Sequence, residues 1–451
     1  MKDIACIFIA LGAVCVGLHT AFAKSVNYDE SAVQPYELPE LLRFGDGRPV
    51  RTAADWPERR REILEVFARE MYGQEPPAPE TLEVELIEEG PTAAGLAIRR
   101  QYRIWFREDR TGPRLDWLVV LPNRIRGDEP EIRDGRIVCE NGAPAPVALF
   151  LNYRGNHALL NDPEVVIPGN VWAQFPESRA DGSFALRPEM RGCERDTRFR
   201  YAFPIEEFLS RGIAVMSCCY AQVSPDIEVG AGDPLDLYWS GVFDLWGTRD
   251  RTREDNPTAL GAWAWALSRG LDLAGRIPEI DARRSLVTGC SRLGKAALIA
   301  AARDERFAVC VPCQTGGGGA PLAKRFFGEN VATEMRMFPH WYCPAYGKYA
   351  GNEAALPFDQ HWLLAAVAPR ALLVEGFGSR WFDTKGEFLA CRAASPAWEL
   401  HGLPGLPDGD FPEPYDTSRI GRRLGYVRRG GAHGLSAIDW AWALDFAERA
   451  W

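Results

Sequence analysis

The run Ser285-Leu-Val-Thr-Gly-Cys-Ser-Arg-Leu-Gly-Lys295 reads as a strand, a sharp turn and the start of a helix, with Ser291 at the turn. A serine held there has its hydroxyl pushed outward at a helix N-terminus. The helix dipole and the backbone N–H of Arg292 then lie where an oxyanion would develop, which suits nucleophilic acyl transfer. The usual elbow carries a small residue two positions to each side of the serine. Here Gly289 is two before and Gly294 three after, with Leu293 at the departing position.

Such a serine needs a base. Beyond the leader the chain offers His157, His340, His361, His401 and His433. A hydrolase built this way places its histidine after the last strand and before the last helix. Gly430-Gly-Ala-His-Gly434 occupies that place, so His433 is the expected base. A third group must orient the imidazole and stabilise its cation. After the strand ending at Pro312 comes Cys313-Gln-Thr-Gly316, without an acid. After the strand ending near Glu375 comes Gly376-Phe-Gly-Ser-Arg-Trp-Phe-Asp383. Asp383 is the preferred acid and Glu375 the other choice. A Gln314 amide oxygen is a third way to hold the ring, one that lacks charge.

These residues must be positioned by a scaffold. Trp56 to Tyr72 patterns as an amphipathic helix. Val84–Ile87, Leu96–Phe106 and Arg114–Leu121 read as antiparallel strands. A polar stretch, Pro122 to Asn141, follows. From residue 146 strands alternate with helices. The strands are Pro146–Leu151, Gly212–Cys219, Arg284–Thr288, Phe307–Pro312, Ala371–Glu375 and Leu424–Arg428. The helices are Gly261–Ala274, Lys295–Arg303, Trp362–Ala368 and Ser436–Ala450. Continuous apolar strands alternating with helices predict a mostly parallel sheet covered on both faces. The expected class is an α/β-hydrolase, a three-layer αβα sandwich. No repeat or linker appears, so residues 24–451 are read as one catalytic domain, with 24–140 as its antiparallel entry and 141–451 as the hydrolase core.

The first residues read as an export signal. Lys2 precedes an apolar run, Ile4 to Leu18, and Ala21-Phe-Ala23 fits a small-x-small cleavage site. A secreted or periplasmic protein starting near Lys24 is expected. The net charge of −10, without a basic cluster, argues against nucleic acid and against an anionic membrane surface. Nine cysteines remain after the leader: Cys139, Cys193, Cys218, Cys219, Cys290, Cys310, Cys313, Cys343 and Cys391. An odd number leaves at least one thiol outside any intramolecular pair. Their spacing matches no metal site, and buried free thiols are expected. No metal or cofactor is needed for the chemistry, and a monomer is expected.

At these residues the chain resembles the glucuronoyl esterases of carbohydrate esterase family 15. The resemblance rests on Gly289-Cys-Ser-Arg-Leu-Gly-Lys295, Gly316–Gly319, Phe338-Pro-His-Trp341, Leu356-Pro-Phe-Asp-Gln-His361, Ala368-Pro-Arg370, Trp381-x-Asp383 and Lys385-Gly-Glu-Phe388. It implies hydrolysis of esters joining 4-O-methyl-glucuronate on xylan to lignin alcohols. Ser291 would be the nucleophile, His433 the base, and Arg292 an oxyanion contact. Lys295 and Trp381 match positions that hold the uronate, and Gln314 joins them in the expected substrate-binding set. The family's acid is a glutamate at the position of Gln314, or an aspartate at the position of Ser379; neither acid is present. Fungal members bridge the cysteine before the serine to one beside the histidine. Gly434 follows His433 here, so Cys290 lacks that partner. Two alternatives stand beside this reading: an acetylxylan-type esterase, which changes only the substrate, and, because the acids are missing, a weakly active relative that mainly binds glucuronoxylan.

Overall fold

The computed structural model describes residues 26–123, 131–133, 136–138, 144–168, 177–178, 184–185, 203–227 and 235–451. The export signal, most of the polar stretch after Pro122, and Cys139 and Cys193 lie outside the described residues.

Nine strands form one sheet. They are β1 (Glu83–Thr92), β2 (Ala97–Trp105), β3 (Arg114–Pro122), β4 (Ala145–Asn152), β5 (Ala214–Cys219), β6 (Ile280–Cys290), β7 (Val309–Cys313), β8 (Ala371–Phe377) and β9 (Leu424–Arg429). Their order across the sheet is β1-β2-β3-β5-β4-β6-β7-β8-β9. β1, β2, β3 and β5 pair antiparallel in turn. From β5 through β4 to β9 every pairing is parallel. The antiparallel entry and the parallel core thus match the reading of the sequence, and the fold is that of an α/β-hydrolase.

The parallel strands are apolar on both sides because both faces are covered. Every residue of β4 is buried. With period two along the strand, Val147, Leu149 and Leu151 enter one core while Ala148 and Phe150 enter the other. Helices α1 (Trp56–Phe67), α3 (Ala259–Ala274), α4 (Arg292–Arg303) and α5 (Thr384–Ala394) cover the first face. Helices α2 (Ile205–Ser210) and α6 (Ala437–Ala450) cover the second. The α3 sequence is mostly apolar, and all but Asp272 of its residues are buried. Sequence periodicity passed over α2 and α5. The first is under two turns long, and the second shows only a weak stripe between polar residues. Among the described residues no helix is long and apolar enough to cross a membrane. The seven cysteines described are buried free thiols.

Candidate active site

Ser291 follows the last residue of β6 and takes the N-cap position of α4, with φ 59° and ψ −130°. A non-glycine residue in that region stores strain that the surrounding packing must hold. Packing explains the spacing of the glycines. A Cβ on Gly289 would lie 2.4 Å from the carbonyl oxygen of Leu293. One on Gly294 would lie 2.8 Å from the carbonyl oxygens of Cys313 and Gly289. The close approach of helix to strand therefore falls at 294, while Leu293 turns into the core. The Ser291 N–H donates to Cys313 O at 2.9 Å, and the Tyr153 hydroxyl braces the elbow by donating to Cys290 O at 2.7 Å.

Ser291, Arg292 and His433 line a common cavity of about 300 Å³. Its remaining walls include Phe150, Leu159, Phe203, Leu435 and Trp440, an apolar set. His433 is exposed at its mouth, with its ring against Phe377 and Phe382 at centroid distances of 5.2 and 4.8 Å. Its Nδ1 lies 2.9 Å from Gln314 Oε1. The Gly434 N–H donates to that same oxygen at 2.9 Å, and Gln314 Nε2 donates to Gly434 O at 3.1 Å. This two-point clasp fixes which end of the amide is oxygen. Because Oε1 can only accept, Nδ1 must carry the proton and Nε2 is left bare. Arg429 also donates to Gly434 O, and its Nε is paired with Asp439 at the start of α6. The loop carrying His433 is therefore tied to both its flanking strand and its following helix.

The other two candidates for the orienting group are directed elsewhere. Asp383, the expected acid, is buried in an ion pair: Arg325 Nε donates to its Oδ2 at 2.9 Å. Its other oxygen accepts from the Gly386 N–H at 3.0 Å and caps α5. Asp383 is thereby committed to Arg325 and to the start of α5, and the imidazole Nδ1 meets Gln314 instead. Glu375 lies beneath Gln314, where its carboxyl group meets the Cys313 thiol at 3.2 Å. Burial, reinforced by Asp439, pushes its pKa well above the carboxylate range. Gln314 is itself fully buried. Its amide, expected beside Lys295 and Trp381 in the substrate-binding set, is engaged on both sides with His433 and Gly434.

Among the described residues no carboxylate is paired with His433. Desolvation first, then the fields of Arg292, Arg429 and Lys295, pull its pKa down to about 4. It is a weak base that stays neutral far into the acid range.

Lys295 follows Ser291 by one helical turn and is buried. Its Nζ lies 3.8 Å from Glu329 Oε2 and 4.8 Å from the centre of the Trp341 ring. Glu329 is held by its own backbone, whose N–H donates to Trp381 O at 2.9 Å, and by the Trp381 indole. Burial raises the pKa of Glu329 and of neighbouring Glu334, and Lys295 opposes the rise in both. Trp381 is half-buried, and its indole meets Glu329, which lies in turn beside Lys295. An ammonium, a carboxylate and an indole at one edge suit the hydroxyls and apolar face of a pyranose.

Reading the sequence missed Glu329, Tyr153 and Asp226. Glu329 and Asp226 come from irregular segments, where no periodicity marks a position. Asp226 is buried and accepts from four donors, among them Arg292.

The fold and this serine–histidine arrangement define the class as α/β-fold serine hydrolases. Comparison with known proteins narrows it. Residues 210–402 match the family described as glucuronyl esterase, fungi. Carbohydrate esterase MZ0003, from an unknown prokaryotic organism, is 32% identical over 436 residues, 94% of this chain and 92% of that one. A glucuronoyl esterase from Solibacter usitatus superposes with a TM-score of 0.77 at 33% identity, covering 94% of this chain and all of the other. A promiscuous esterase of the same family from a marine bacterial metagenome gives a TM-score of 0.79 at 30% identity, with 94% and 100% coverage. The chain belongs to carbohydrate esterase family 15, the glucuronoyl esterase family, and is a carboxylic-ester hydrolase.

Proposed function

We propose that this protein hydrolyses glucuronoyl esters of glucuronoxylan, with Ser291 as nucleophile, His433 as base and Gln314 as the group that orients it. The observation that carries this reading is the clasp of Gln314 on His433 and Gly434, which leaves Nε2 free to take a proton. The Ser291 hydroxyl attacks the ester carbonyl and passes its proton to Nε2. The oxyanion is met by the first amides of α4 and by Arg292. As the tetrahedral intermediate collapses, the imidazolium returns the proton to the departing alcohol. Water, deprotonated by the same nitrogen, then cleaves the acyl-enzyme and releases the uronic acid.

The sheet order separates the two halves of the ester. Ser291 sits at the end of β6. Glu329 and Trp381 come from segments after β7 and β8, on one side of it. The apolar cavity opens beyond β4, on the other. The glucuronate lies against Lys295, Glu329 and Trp381, and the alcohol takes the apolar side, as a lignin alcohol would. Export to the cell exterior or periplasm fits a polymeric substrate and rests on the leader-like first 23 residues.

Benzyl glucuronate is the direct test. Wild-type protein releases benzyl alcohol and Ser291→Ala does not. Faster release of acetate from acetylated xylan than of benzyl alcohol would move the assignment to an acetyl esterase. Binding of glucuronoxylan without turnover would reduce the protein to a binding relative.

A further inference from the structure

The segment Phe338-Pro-His-Trp341 has no part in the chemistry above, yet it packs directly behind it. Asp226 is buried there and has no access to substrate. Its Oδ1 accepts from His340 Nε2 at 2.9 Å and from Trp341 Nε1 at 3.0 Å. Its Oδ2 accepts from the Tyr220 hydroxyl at 2.9 Å and from Arg292 Nη1. Because a carboxylate accepts only, His340 must carry its proton on Nε2. Four donors from three segments thus hold a single carboxylate in one orientation.

The same segment supplies the surface on which the cation rests. The Arg292 guanidinium lies 4.6 Å from the centre of the Trp341 ring and 5.6 Å from that of Phe338. Those two rings are stacked at 3.9 Å and nearly parallel. Trp341 carries Lys295 as well. One edge of the guanidinium is thereby fixed to Asp226 and one face to the aromatic pair. The Arg292 Nε–H is buried and has no hydrogen-bond partner among the described residues. A buried donor left open beside the nucleophile is suited to charge that appears only during reaction.

We propose that Asp226 is a positioning residue for the oxyanion site, acting through Arg292, with His340 and Trp341 fixing its carboxylate. A long, flexible side chain left to itself would lose most of its value as an oxyanion donor, because it would have to be ordered at the moment of reaction. Pairing with a buried carboxylate and an aromatic bed orders it beforehand. The charge of Asp226 also balances a cation that would otherwise face His433 uncompensated.

The inference rests on the role of Arg292 proposed above, and a double-mutant cycle separates the two. Arg292→Ala alone tests that role: an unchanged kcat would remove Arg292 from the oxyanion site, and the anchor with it. Given a loss there, Asp226→Asn is expected to lower kcat for benzyl glucuronate by about 100-fold, the scale of losing one oxyanion donor, with KM changed less than about threefold. Added to Arg292→Ala, it should then cost less than about threefold more, because it acts on a side chain no longer present. Losses that multiply in the double variant would overturn the proposal, as would full kcat in folded Asp226→Asn. Should that variant not fold, Trp341→Phe keeps an aromatic ring beside the guanidinium and removes the N–H to Asp226. It should lower kcat several-fold with the same non-additivity; an additive loss, or none, refutes the anchor.

Discussion

His433 donates from Nδ1 to Gln314 Oε1 across 2.9 Å, and that oxygen is held in place by the backbone N–H of Gly434. An amide therefore stands where relatives of this fold use a carboxylate. It supplies orientation and the correct tautomer but no charge to stabilise the imidazolium. Losing both tautomer and charge in a serine hydrolase triad costs about 10⁴ in turnover; here only the charge is missing. Gln314→Glu is accordingly expected to raise kcat for benzyl glucuronate by about 10-fold or more. Part of the gain is offset, because a carboxylate loses the donor to Gly434 O, although Arg429 still serves that oxygen. Steady-state kinetics decides the matter, and an unchanged rate would mean that another group already carries the charge.

The pH profile follows from the same pair. The base must be neutral to accept the serine proton. With its pKa pulled down to about 4, His433 loses activity only as the pH falls through that value, rather than near the ordinary histidine value of about 6.5. Gln314→Glu adds a negative charge that favours the imidazolium, so the acid limb of kcat/KM should move upward. Profiles of both proteins from pH 3 to 8 test the direction.

Asp383 makes a contrasting case. Removing it leaves buried Arg325 with Glu30 alone as its ion-pair partner and α5 without its cap. Asp383→Ala is expected to lower stability by about 3 kcal/mol, the scale for breaking a buried pair. Measured on the protein that remains folded, kcat should stay within about threefold. Thermal unfolding and active-site titration separate the two effects.

The turn itself is intolerant of volume. Gly294→Ala places a methyl group 2.8 Å from two carbonyl oxygens of the strands behind it. The helix must shift outward and carry Ser291 with it. A drop of several degrees in Tm together with loss of turnover is expected.

On the sugar side, Trp381→Ala removes both an apolar wall and the indole that holds Glu329. KM for benzyl glucuronate should rise about 10-fold. Hydrolysis of a simple acetyl ester, which has no pyranose to place there, should change little.

Much of this protein is legible along the chain because it depends on local pattern. The strand–turn–helix around Ser291 needs glycines at close approaches, and those show at 289 and 294. The place of His433, between a terminal strand and a closing helix, follows from sheet topology. The apolar runs of β4 to β9 announce a sheet buried on both faces. Helices α2 and α5 were harder to see, one for its length and the other for its mixed composition.

The sequence by itself determined the scaffold, the nucleophile turn and the absence of an acid at positions 314 and 379. It also left three side chains open as the partner of His433. Only the tertiary structure decided among them, because the choice turns on which atoms lie within hydrogen-bond reach after β7, β8 and β9 are laid side by side. Asp383 is drawn off by Arg325, some 58 residues earlier in the chain. Glu375 is sealed beneath the sheet's end, and among the described residues Gln314 is the side chain that reaches Nδ1. Asp226 and Glu329 belong to the same category. Their roles arise from distant segments meeting in a dry interior, where an isolated carboxylate is costly and its partners decide what it does.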